Sequence, residues 1–511
     1  MEKKIKKKGF LSMVERVGNA LPHPATIFII LCAIIIVLSA LLASMGVSVT
    51  YTGLDRTTNE IKELTVGVTS LLTPEGIRYI FESAVTNFTN FAPLGTVLVA
   101  LLGVGVAEGT GLIGTLLKKL VTSTPKRLIT VVVVFAGVVS NIASDAGYVI
   151  LIPLGAVVFL GFKRHPLAGI AAAFAGVSGG FSANIIFGPT DALLAGITQE
   201  AAQMVQPGYE VSIASNWYFL IASTVLITIV GTIVTEKIVE PRLGAYKGKN
   251  PSEEIQEVTE NEKRGLKFAL IALIGFIVFI GLLVVPEGAP LRNPETGEIL
   301  KSPFMNSMVA IISMAFFVPG VAFGIGNREI KNDKQVIHLM GKSMAAMGGY
   351  IVLVFFAAQF VAYFNHSNIG TVIAVKGADF LKSTGIGGIP LILGFVAVSA
   401  FINLFMGSAS AKWAIMAPVF VPMLMGMQYS PELVQMAYRI GDSSTNIISP
   451  LMTYFALIVA FAEVYDEDSG IGTLISTMVP YSIAFLVCWT VLLIIWFVLG
   501  LPLGPGAGLM I

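Results

Sequence analysis

Four stretches place amides, hydroxyls, charges and helix breakers inside otherwise apolar sequence: 139–147 "VSNIASDAG", 178–191 "SGGFSANIIFGPTD", 403–413 "NLFMGSASAKW" and 438–450 "YRIGDSSTNIISP". Glycine and proline interrupt a helix, freeing backbone carbonyls for a cation and N–H groups for an anion. Asn141, Asn184, Asn403 and Asn446 can each offer a carbonyl oxygen to Na⁺ or an amide to a carboxylate. Arg439 and Asp442 are three residues apart on one helical face, at a depth where ionisable groups are costly and tend to be functional. They read either as a structural ion pair or as a working site, with Asp442 taking a coupling cation or proton and Arg439 a carboxylate. Lys412 could reach an anionic substrate or snorkel to water. Trp413 could stack on an aromatic ring or anchor at the membrane interface. Asp191, just after Gly188 and Pro189, reads as a carboxylate facing an aqueous cavity or as a helix cap.

The elements that carry these groups are membrane spans. The 511-residue chain is 55% hydrophobic and 12% charged, with a net charge of +1 and a mean hydropathy of +0.83. That composition is an all-α polytopic membrane protein, since soluble domains carry about a quarter charged residues. Nothing in the charge balance suggests a nucleic-acid partner. Apolar runs of bilayer length lie at about 25–46, 93–117, 166–195, 216–238, 265–285, 304–326, 346–365, 432–462 and 478–500. Two longer interrupted runs, 128–162 and 389–425, suit two short arms each. Lysine and arginine at both ends of 128–162 (Lys126, Arg127, Lys163, Arg164) put those ends on the same side, which makes the run a re-entrant hairpin.

The same basic-residue count gives nine spans, two hairpins and a cytoplasmic N-terminus. The chain divides into a basic segment 1–24, a first half 25–240 with its hairpin 128–162, a cytoplasmic linker 241–264, and a second half 265–511 with its hairpin 389–425. Segment 73–92 is too polar to span and is expected to be an interfacial helix.

The chain also resembles itself at an offset near 260 residues. "SANIIFGP" (182–189) matches "STNIISP" (444–450), setting Asn184 opposite Asn446 and Pro189 opposite Pro450. The copies cross in opposite directions, so the repeat is inverted, a plan of secondary transporters with sites at the repeat interface. A channel would instead show a polar face along continuous spans. An enzyme lacks paired acids or a metal cluster here, none of the four histidines has ligand spacing, and no G-x-x-x-x-G-K-[ST] loop supports an ATP-driven pump.

"SNIASDAGYVILIPL", "HPLAGIAAAFAGVSGGFSANIIFGPTDALLAG", "GSASAKWAIMAPVFVPML" and "AYRIGDSSTNIISPLMTYF" closely resemble the aminobenzoyl-glutamate transporter (AbgT) family, and the resemblance runs over nearly the whole chain. It implies an elevator-type, ion-coupled carrier that forms a homodimer in the bacterial cell membrane. It needs no cofactor beyond a coupling sodium ion or proton. Substrates of the family are p-aminobenzoyl-glutamate, imported, or sulfonamide antimetabolites, exported. Matching motif to motif, Asn403 and Asp442 become the sodium-site candidates. Asp191, Ser410, Pro431, Arg439 and Pro450 line the transport path. Asn446 joins the cation set, and Trp413, Asn141 and Asn184 the substrate set.

Overall fold

The computed structural model describes residues 22, 24–54, 61–143, 147–246, 258–299, 302–450, 452, 454–467 and 469–511. Residues 1–21, the hairpin-tip residues Ser144 and Asp145, and residues 247–257 of the expected linker lie outside that set. The chain is predominantly helical. Six described helices are long and apolar enough to cross a membrane: Pro24–Ser44, Trp217–Leu243, Glu260–Val284, Met308–Gly326, Gly348–His366 and Ile471–Val498. Glu260–Val284 shows why a bilayer is the medium. Leu270, Ile271, Ile274, Ile277, Val278, Phe279 and Leu282 all face outward, an apolar surface that would be an aggregation hazard in water.

Three expected spans are interrupted. The run 93–117 bends by 58° between Pro93–Gly109 and Leu112–Thr122, where Gly111 takes a left-handed conformation (φ +80°). The run 166–195 is a helix Pro166–Phe174 that widens into a π turn at Ala175–Gly179, loses helical form, and restarts at Pro189–Gln203. The run 432–462 likewise divides into Pro431–Asn446 and Phe455–Glu463. Proline opens the restarted Pro189–Gln203 helix, because its missing N–H is not needed there. The segment before it, rich in Gly, Ser and Asn, has little helical preference.

Two further differences concern the flanks. The all-α expectation misses an antiparallel pair of strands, Ser48–Leu54 with Ile61–Gly67, which are rich in the β-branched residues a ladder favours. The expected interfacial helix is two short ones, Pro74–Glu82 and Ala84–Thr89, jointed at Ser83.

The two long runs each form a pair of short helices. Ile129–Ser140 leads through a tight turn at Asn141–Ala143, and after the undescribed tip the chain returns along Gly147–Gly161. Gly388–Asn403 and Ala409–Met425 are joined by 404–408. At 1.5 Å per residue, 16 and 17 residues give arms short of the ~30 Å hydrocarbon core.

Helix Pro431–Asn446 is the axis of the second half, and all of its residues are buried. Ser430 caps it, its hydroxyl accepting from Leu433 N at 3.2 Å. The C-terminal tail fixes that cap through Ser430 Oγ donating to Gly508 O at 2.8 Å. The helix packs against Gly388–Asn403, Ala409–Met425, Pro189–Gln203 and Ile471–Val498. A side chain at Gly441 would collide with the backbone of Val396 and Ala400, so the bare glycine permits the close approach to the hairpin.

Candidate functional site

A polar helix wholly inside a protein must satisfy its groups internally. Pro431–Asn446 does so with partners from three other elements. Its Asp442 carboxylate accepts from Lys412 Nζ at 2.5 Å, and the same ammonium donates to Asn403 Oδ1. Asn403 ends the first arm of the second hairpin and Lys412 opens the second arm, so the two arms grip Asp442 from one side. Lys412 and Asp442 are 0% and 1% exposed. The expected choice for Lys412, anionic substrate or water, therefore has a different answer: its partner is a carboxylate of this chain.

The other oxygens of the cluster converge on one nitrogen. Asn403 Nδ2 lies 2.6 Å from Asp442 O, 2.9 Å from Thr445 Oγ1 and 2.9 Å from Asn446 Oδ1. An amide has two hydrogens, so three acceptors around it outnumber its donors. Such a knot of hard oxygens beside a carboxylate suits a small hard cation, and all of it belongs to a helix that ends at Asn446.

Arg439 does not pair with Asp442, although the two share a face. Its Nη2 donates to Asp191 Oδ1 at 2.6 Å, with both side chains 1% exposed. The reason is tertiary: Pro189–Gln203 and both arms of the second hairpin pack on this helix, and each charge takes the counter-charge that its neighbour brings, Arg439 from the first and Asp442 from the second. Asp191 also accepts from Gly188 N at 2.8 Å, capping its own helix. It is a cap and an ion-pair partner rather than a carboxylate open to a cavity. Arg439 Nε is buried without a hydrogen-bond partner, which leaves one edge of the guanidinium fork unused.

Trp413 is fully buried, so it is no interface anchor. Its ring stacks on Tyr438 at 4.5 Å and 24°, and its Nε1 donates to Thr198 Oγ1 at 2.9 Å. Thr198 in turn donates to Gln435 Oε1 at 3.0 Å. Tyr438 donates to Ala409 O at 2.5 Å and holds the start of the hairpin's second arm. Ser410 is half-buried, 3.3 Å from Ser408 Oγ.

Other expected residues lie apart. Pro431 is the first residue of its helix, roughly 16 Å along the axis from Asp442 at 1.5 Å per residue. Pro450 lies in the break after Asn446. Asn184 belongs to the first-half break, whose Gly180 O accepts from Asn141 on the hairpin turn. That break joins the second half through Ser182 N, which donates to Ser443 Oγ at 3.1 Å.

Sequence reading missed Tyr438, Thr445, Thr198, Gln435 and the buried Glu432, which accepts from Tyr209 OH at 3.0 Å. Thr445 stands beside Asn446 in a run already singled out. Thr198 and Gln435 carry no signal of their own, because what makes them polar partners is a neighbour far along the chain. Among the described residues no group of three or more His, Cys, Asp or Glu is placed to hold a metal ion.

Residues 9–511 match the model of the AbgT transporter family. The chain is 42% identical over 493 residues to the p-aminobenzoyl-glutamate transport protein of Escherichia coli (strain K12), covering 96% of this chain and 95% of that one. It superposes on the crystal structure of the Alcanivorax borkumensis YdaH transporter with a TM-score of 0.89 at 46% identity, covering 95% of this chain and all of that one. The match to Neisseria gonorrhoeae MtrF, described within a class of antimetabolite efflux pumps, has a TM-score of 0.91 at 50% identity, over 98% of this chain and all of that one. With two buried ion pairs at interrupted helices and likeness along its whole length, this chain belongs to the AbgT family of transporters.

Proposed function

We propose that the protein is a cation-coupled secondary carrier of p-aminobenzoyl-glutamate in the bacterial cell membrane, and not an enzyme. The observation that carries this reading is the cluster of Asn403, Lys412, Asp442, Thr445 and Asn446, where a hairpin tip meets a helix end. Asn403, Asp442 and Asn446 supply the oxygens for the coupling sodium ion or proton. In the arrangement described, the Lys412 ammonium neutralises Asp442. An arriving cation takes over that role as Lys412 withdraws.

Arg439, whose Nε has no partner, receives a substrate carboxylate in competition with Asp191. A planar guanidinium suits this bidentate task. Ser410, Trp413, Pro431 and Pro450 border the path, and Trp413 would need to leave Tyr438 to meet a substrate ring. The architecture we favour is nine spans and two re-entrant hairpins in an inverted repeat, working as an elevator within a homodimer, with the N-terminus inside. The short paired helices and the three interrupted spans support it.

A second reading, efflux of sulfonamide antimetabolites driven by the same ion, draws support from the likeness to MtrF. Direction follows the gradients, so one site serves both. Purified protein in proteoliposomes, given labelled p-aminobenzoyl-glutamate with Na⁺ and pH varied on each side, tests the proposal. We expect accumulation that follows an imposed cation gradient and stops in Asp442→Asn. Flux indifferent to both gradients would overturn it.

A further inference from the structure

Among the described residues, the first half repeats the asparagine device of the second half without its charges. Asn403 Nδ2 donates to Asp442 O, and Asn141 Nδ2 to Gly180 O at 3.4 Å; both contacts span 39 residues. Asn141 Nδ2 also meets Val138 O at 3.1 Å and Gly137 O at 3.4 Å. Three carbonyls therefore hold the amide nitrogen and turn Oδ1 the other way. That oxygen is buried with no hydrogen-bond partner, as are Ser178 Oγ, Ser182 Oγ and Asn184 Oδ1. Their residues are 3%, 0%, 1% and 2% exposed.

All four belong to one junction. Ser178 lies in the π turn Ala175–Gly179, and Ser182 and Asn184 in the break that follows. The hairpin tip seats against the far end of the break, with Ile142 Cα 3.4 Å and Asn141 O 3.5 Å from where a Cβ on Gly188 would stand. Buried oxygens without donors are rare and call for an explanation. Two helices, Ile129–Ser140 and Pro166–Phe174 with its π turn, end at this junction, and helix C-termini are the negative ends of their dipoles. Four neutral oxygens at the meeting of two such ends are acceptors for a positive charge, not for a carboxylate.

We propose that this junction is a second site for a monovalent cation of the Na⁺ type, ligated by Asn141 Oδ1, Ser178 Oγ, Ser182 Oγ and Asn184 Oδ1. Asn141 and Asn184 thereby move from the substrate set to the ion set. Gly180 stands where the second half has Asp442, so among the described residues this site has no carboxylate and favours a single charge. Unwound segments and half-helix C-termini of this kind coordinate Na⁺ in other carriers. The inference rests on the cation coupling proposed above and adds a stoichiometry. A substrate with two carboxylates, moved with two Na⁺, contributes no net charge.

Radiolabelled Na⁺ bound per chain, counted on the full-length protein in nanodiscs, tests it. We expect two ions in the wild type. Ser178→Ala/Ser182→Ala, which removes hydroxyls that no protein group holds, should leave one, while Asp442→Asn should remove the other. Ser182→Ala alone should weaken one of the two affinities at least about tenfold, with an unchanged melting temperature showing that the fold is intact. One ion per chain, lost in Asp442→Asn and untouched by the serine variants, would overturn the second site and leave the coupling proposal standing. One ion lost only in the serine variants would support the second site and overturn Asp442 as the ion ligand. No bound Na⁺ at all would overturn the site, its four oxygens then holding water.

Discussion

Two interrupted helices of this protein solve the same backbone problem with opposite electrostatics. In the second half, the break after Asn446 is preceded by Arg439 and Asp442, and these two have found counter-charges in Asp191 and Lys412. In the first half, the turn at Asn141, the π turn Ala175–Gly179 and the break that follows hold amides and hydroxyls, with four oxygens unpartnered. The difference follows from cost. An unpaired charge in a low-dielectric interior costs several kcal/mol, so a charged break must satisfy itself when empty. A neutral oxygen left without a donor costs about 1–3 kcal/mol, which a fold can carry in reserve. A self-paired site must be opened before it binds, whereas an unpaired one is ready.

The sharpest way to break this contrast is to remove one charge from the paired side. Asp442→Asn strands the Lys412 ammonium and should lower stability by about 3–5 kcal/mol while abolishing ion-coupled accumulation in proteoliposomes. Adding Lys412→Met should recover most of the stability, read by thermal unfolding, and none of the transport. Equal stability of Asp442→Asn and the wild type would mean that the buried pair is not the self-satisfied unit described here.

Next in size, Gly176→Ala probes how tightly the neutral junction is built. A Cβ there would collide with Val134 O, and Gly137 lies alongside. We expect overpacking to cost about 1–3 kcal/mol and labelled Na⁺ binding to weaken, measured together with the melting temperature. Arg439→Lys keeps the charge beside Asp191 but loses the fork. Transport should fall by about tenfold, equivalent to ~1.4 kcal/mol, with melting changed little. Full transport would argue against a bidentate substrate contact. The smallest effect should come from Ser443→Ala, which deletes the hydroxyl that accepts from Ser182 N. A loss of about 1 kcal/mol is expected, seen as faster hydrogen exchange at the Ser182 amide.

Much of this was legible in the chain itself. Hydropathy located the long helices because burial in lipid demands about 20 apolar residues in a row. The two interrupted hydrophobic runs showed as pairs of short arms, and "SGGFSANIIFGP" and "SSTNIISP" announced a break by their glycines, prolines and amides. The strand pair 48–67 escaped notice in a chain dominated by apolar runs, although "SVTYTGL" carries the alternation of a strand.

Sequence by itself determined which residues are polar at membrane depth and where helices must stop, since both depend on local chemistry: transfer cost, missing N–H groups and backbone freedom. Tertiary structure alone decided who pairs with whom. Arg439 and Asp442 look like partners at a spacing of three, yet Arg439 turns to Asp191 and Asp442 to Lys412. Coulomb attraction in a dry interior acts across packed elements regardless of their distance along the chain. For the same reason, only tertiary packing could leave the oxygens of Asn141, Ser178, Ser182 and Asn184 buried without a donor.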